Sequence, residues 1–164
     1  MLLNTIDEKP METVVLANHI KRTVLGPMWH GPALDDVLAG VTAPQALARP
    51  IASAHSIWQI VLHVAVWAEV ARARLGGDRL GELTEDEDWP AVGAADDAGW
   101  TAAVARMREA YRNLARDVRH LDAAILHEKI AGLEYSRSDL LHGVIEHGTY
   151  HGGQIALLKK ALGG

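Results

Sequence analysis

Residues 56–67 read Ser56-Ile57-Trp58-Gln59-Ile60-Val61-Leu62-His63-Val64-Ala65-Val66-Trp67, a run in which one imidazole stands among apolar neighbours. The pattern predicts a helix from about Ser56 to Leu75, capped by Ser53 or Ser56 and stopped by Gly76-Gly77. Its longest apolar stretch, Ile57 to Val70, is interrupted by Gln59, His63 and Glu69. It therefore falls short of the roughly 20 apolar residues that a membrane span needs and reads as a buried core helix. An unpaired imidazole in such a helix costs on the order of 1 to 3 kcal/mol, so His63 is expected to meet either another side chain or a metal ion.

The second informative stretch is Val144-Ile145-Glu146-His147-Gly148-Thr149-Tyr150-His151-Gly152-Gly153-Gln154-Ile155. Helical residues at i and i+4 lie about 40° apart around the axis and about 6 Å apart along it, so His147 and His151 can reach one ion. Spacing alone is weak evidence, since nine histidines in 164 residues give about 0.5 such pairs by chance. Context strengthens it: Gly148, Gly152 and Gly153 each cost roughly 1 kcal/mol against alanine in a helix, so their clustering calls for close approach or for space. With His63 as a third ligand, three neutral imidazoles leave a fourth position open, as catalytic rather than structural zinc sites do. Glu69 and Glu146 are the carboxylates nearest in sequence. Gln154 shares the histidine face and is placed to orient a ligand or to line the bundle edge, and Trp67 reads as core or pocket wall. The other histidines, His19, His55, His120, His127 and His142, read as surface or capping residues, and His30 lies in a Trp-His-Gly-Pro turn.

Working outward, Met11 to Leu25 forms a first helix that halts at Gly26-Pro27, and a short helical piece spans Ala33 to Ala39. Val41 to Ser53, with Pro44 and Pro50, reads as irregular. Asp78 to Gly99 is acidic, lacks a periodic apolar pattern and reads as a long exposed connection anchored by Trp89 and Trp100. A third long helix covers about Asp97 to Leu121, and a fourth runs from a Ser136/Asp139 capping box to about Leu162. No strand period competes with these, so the expected fold is an all-α four-helix bundle forming one domain over residues 1–164.

The net charge of −5, with no basic stripe, argues against a nucleic-acid partner. There is no cysteine, so any sulfur chemistry must use a thiol from a substrate. Asp7 and Glu8 stand where a signal peptide would carry basic residues, and a cytoplasmic location is expected.

Together the two quoted stretches resemble the DinB-like or YfiT-like metalloenzymes, and the resemblance covers nearly the whole chain, including the Trp29-His30-Gly31-Pro32 connection. It implies an up-down-down-up bundle with one metal-binding histidine on the second long helix and an HxxxH pair on the fourth, here His63, His147 and His151. Its members include thiol-dependent transferases and isomerases as well as proteins described as metal-dependent hydrolases, so the resemblance leaves the reaction open. Two functions are expected to compete. One is an enzyme whose divalent cation, zinc or nickel because imidazole suits both, activates a small thiol or water. The other is a non-catalytic metal-binding stress-response protein. The expected partners are a small-molecule substrate, such as a low-molecular-weight thiol, and a second copy of the chain in a homodimer.

Overall fold

Helix signals in this chain are local and strong, and the computed structural model, which describes residues 11–163, follows them. Helix α1, Glu12–Leu25, buries Leu16, Ala17, Ile20 and Val24, the three- and four-residue spacing of a single helical face. It ends where Gly26 turns to φ 58° and its N–H bonds to the Arg22 carbonyl. The short α2, Leu34–Leu38, follows. Residues 41–53, expected to be irregular, contain a further short helix, α3, Ala43–Leu47. The reason is a reciprocal capping box: Thr42 Oγ1 accepts from the Gln45 N–H while Gln45 Oε1 accepts from the Thr42 N–H.

Helix α4, Ile57–Leu75, starts with the same device, Ser56 and Gln59 capping each other. The acidic segment expected to be a featureless connection holds a one-turn helix, α5, Glu85–Asp88, nucleated by a Thr84/Glu87 capping box. Asp96 caps α6, Asp97–Arg119, by accepting from the Gly99 N–H. Ser136 and Asp139 cap α7, Arg137–Ala161, as the sequence predicts. Among the described residues there is no strand, only two isolated bridges. The N-terminal residues read above for a signal peptide lie outside the described ones.

The four long helices pack in a ring: α1 contacts α6 and α7, and α4 contacts the same two. Their shared core includes Ile20, Trp58, Met107, Tyr111, Leu141 and Ile155, each 2% exposed or less. Trp58 and Trp100 meet at 5.3 Å between ring centroids, and Trp100 donates its indole N–H to the Val41 carbonyl, which ties the connection after α2 to α6. None of the described helices is long and apolar enough to cross a membrane. The α4–α7 contact is the one that positions the site, because it sets the middle of α4 against the middle of α7.

Candidate metal centre

His63 sits six residues into α4, on a helix buried on nearly every side. His147 and His151 stand one turn apart on the face of α7 that meets it. The structure brings the three imidazoles together, with one potential ligand nitrogen from each lying within 4.8 Å of the others. His63 and His151 are both 5% exposed. Nε2 of His63 and Nε2 of His147 are only 2.9 Å apart, the distance at which two neutral imidazoles share one proton.

Hydrogen bonds at the outer nitrogens aim the rings. Nδ1–H of His63 donates to the backbone carbonyl of Asp88 at 2.8 Å, leaving Nε2 as a lone pair directed into the cluster. Nδ1–H of His151 donates to Gln154 Oε1 at 2.7 Å, and the Gln154 amide donates onward to the Tyr150 hydroxyl, so His151 also presents Nε2. Gln154, which the sequence leaves between orienting a ligand and lining the bundle edge, bonds the His151 ring. His147 Nδ1 is buried without a partner among the described residues. An orphaned ring nitrogen costs free energy, which a cation at Nε2 would offset without giving Nδ1 a partner.

Burial also keeps the rings neutral. It pushes His147 down to about 3, helped by the neighbouring His151 and His63, and His151 down to about 4 against the upward pull of its Gln154 bond. His63 is lowered by burial as well, with the Asp88 carbonyl and carboxylate opposing the shift. The Asp88 carboxylate stands 3.1 Å from His63 Nδ1, but a neutral ring makes this a polar contact rather than an ion pair. Three neutral imidazoles with lone pairs facing one point are the donor set that a borderline divalent cation accepts, so the residues present fit a metal.

Asp88 and Trp89 are the contributors that sequence reasoning missed. Trp89 lies flat on His63, at 3.8 Å between centroids and 2° between planes, and His55 stacks on its other face at 3.6 Å. His55 is exposed, as expected of a surface residue, yet it completes this sandwich. Asp88 also accepts the Trp67 indole N–H at 2.7 Å, which makes Trp67 a wall of the site rather than a core residue. The available signals were the Thr84/Glu87 capping box and a tryptophan inside an acidic run.

The carboxylates singled out from the sequence are elsewhere. Glu69 points to α6, where Arg106 grips both its oxygens at 2.8 and 2.7 Å, and Glu146 is exposed. His30 and His142 are exposed and outside the cluster.

The sequence model of the DinB superfamily matches residues 29–155, a span that holds all three histidines. The chain belongs to the DinB superfamily. No match is found among curated proteins or solved structures. Within the DinB match lie both α4 and the HxxxH turn of α7, and the braces Asp88, Trp89 and Gln154 fall inside it too.

Proposed function

We propose that this DinB-superfamily protein holds one divalent cation, zinc or nickel, through His63, His147 and His151, and works as a metal-dependent thiol transferase or hydrolase. The observation that carries the reading is three imidazoles from two helices, His63 and His151 buried and His147 half-buried, converging within 4.8 Å, with no carboxylate from the described residues in the cluster. A divalent cation there supplies Lewis acidity, which lowers the pKa of a thiol or a water molecule into the neutral range.

The chain's own residues do the rest. Asp88 and Gln154 fix the tautomers of His63 and His151, Trp89 and Trp67 shield the cluster from bulk water, and no cysteine competes for the open position. Thiol activation is preferred because the nearby Asp88 carboxylate is engaged through Oδ1 with the Trp67 indole and His63 Nδ1, which makes it a weaker general base for water. The same observation gives weight to a non-catalytic metal-binding role as the second reading. The up-down-down-up connectivity, with residues 76–96 as the crossover, belongs to this proposal.

Metal analysis tests it. The reconstituted chain is expected to hold one cation per chain, alanine at His63, His147 or His151 to abolish tight binding, and His142→Ala to leave it intact. Cobalt-substituted protein titrated with small thiols then separates the readings. A thiol-dependent spectral change with transfer to an electrophile supports the transferase, while ester hydrolysis without thiol dependence supports the hydrolase. Full metal occupancy with neither activity supports the non-catalytic role, and substoichiometric metal after reconstitution removes the site altogether.

A further inference from the structure

Several cavities adjoin the helices, and they differ in chemistry. The largest described, about 710 Å³, lies between α4 and α6, is edged by the exposed pairs Arg106–Glu69 and Arg72–Asp117, and has no histidine in its lining. A second, about 470 Å³, reaches His151 past Ser53, His55, Tyr150 and Gln154. A third, about 460 Å³, has His147 in its wall and is the one whose lining specifies a ligand class. Its volume falls in the range of roughly 300 to 1,000 Å³ usual for small-molecule sites.

The walls of this third cavity are carbon. Trp67, Leu140 and Val144 contribute apolar faces, and Gly143 contributes none, since a Cβ built there meets nothing within 4 Å. Apart from His147, the polar side chains of the lining are already engaged. The Trp67 indole N–H donates to Asp88, and the buried Arg74 guanidinium donates to the carbonyls of Arg79 and Gly81 and to the Tyr135 hydroxyl. The Asp139 carboxylate accepts from Ser136. Arg74 also lies 5.6 Å from the centre of the Trp67 ring, which holds the aromatic wall in place.

We propose that this cavity receives the uncharged, apolar body of a small-molecule substrate, an alkyl chain or aromatic ring, whose polar head reaches the cation at His147. The inference rests on the metal reading above. An anionic body gains little here: the Asp139 carboxylate in the same lining offsets the Arg74 charge, and the guanidinium already gives hydrogen bonds to three oxygens. The cavity on the His151 side is also largely apolar, with the hydroxyls of Ser53 and Tyr150, the Gln154 amide and the His55 imidazole as its polar groups, and Gly143→Leu, which alters only the His147 side, distinguishes the two.

The test uses the metal-loaded chain and straight-chain hydroxamic acids, beginning with acetohydroxamic acid, titrated calorimetrically. Affinity is expected to rise about threefold to fourfold for each added methylene until the cavity is full. Gly143→Leu, which fills the open space and raises helix propensity, is expected to keep one metal per chain and to bind acetohydroxamic acid while losing the gain with chain length. The series on the unmodified chain stands alone if that variant misfolds. A chain that takes up metal and acetohydroxamic acid but shows no length dependence overturns this inference and leaves the metal reading intact. Tighter binding of a carboxylate-ended tail than of a methyl-ended tail of equal length overturns the uncharged assignment, and a chain that takes up no metal overturns both readings together.

Discussion

Replacing Gly148 by alanine is expected to destabilise the protein, whereas the same change at Gly153, five residues along α7, is expected to stabilise it. A Cβ at Gly148 would stand 2.6 Å from Thr23 Cγ2 on α1 and 2.6 Å from the Tyr111 hydroxyl on α6. Neither neighbour can move cheaply: Tyr111 is 1% exposed and Thr23, a stiff β-branched residue, is 2% exposed. Overpacking of this kind costs about 1 to 3 kcal/mol, and two simultaneous contacts against rigid groups put it near about 3. The helix gains about 1 kcal/mol from alanine over glycine, leaving a net loss of about 2 kcal/mol. For a chain of this length that lowers Tm by about 4 to 8 °C. At Gly153 nothing lies within 4 Å of the added atom, so only the helix gain remains, a rise of about 2 to 4 °C. Thermal unfolding of the chelator-treated chain measures both without a contribution from metal binding. A Tyr111→Phe background, which removes one of the two contacts, should shrink the Gly148→Ala penalty. If Gly148→Ala is as stable as the parent, α7 does not seat against α1 and α6 as closely as described, and the placement of His147 next to it fails too.

Gln154→Ala should weaken metal binding about 10- to 100-fold without changing stoichiometry, because His151 loses the acceptor that fixes its ring; competition against a chromophoric chelator measures this, and unchanged affinity would remove Gln154 from the site. The metal-free chain should lose stability as pH falls from about 6.5 towards 4. His147 and His151 are held below their ordinary 6.5 in the fold, at about 3 and about 4, so over that window the unfolded chain binds the extra protons. Urea unfolding across this range should show a shallower slope in a His147→Gln, His151→Gln double variant, and an equal slope would assign the acid sensitivity to other groups.

The three-histidine cluster was legible because helix periodicity is a local property. His63 stood out as a polar residue in an apolar run, and His147 and His151 as a pair one turn apart, so all that remained was for α4 and α7 to meet. The braces were not legible in the same way. Asp88 reaches His63 across 25 positions and Trp67 across 21, from a segment with no periodicity to place it. Short capping boxes at Thr42 and Thr84 were outweighed by proline and acidic composition, although each is enough to nucleate a turn. The glycine cluster was readable as a demand for close approach or space, but not residue by residue: Gly148 meets Thr23 and Tyr111, Gly152 lies 3.6 Å from Leu34, and Gly153 faces nothing within 4 Å.

That division has a mechanical consequence. The donor atoms belong to two rigid helices locked by the core, so their spacing is fixed by packing that few substitutions can alter without unfolding the bundle. The tautomer and tilt of His63 depend instead on residues 84–89, an exposed turn whose hold on the site is one carbonyl, one carboxylate and one indole ring. Changes in that turn can retune ring orientation, solvent access and the shape of the neighbouring cavity through Trp67 while leaving the three-histidine cluster standing. The proposed cation site and the fold are thus set by the helices, and the turn after α4 sets how the His63 ring is held.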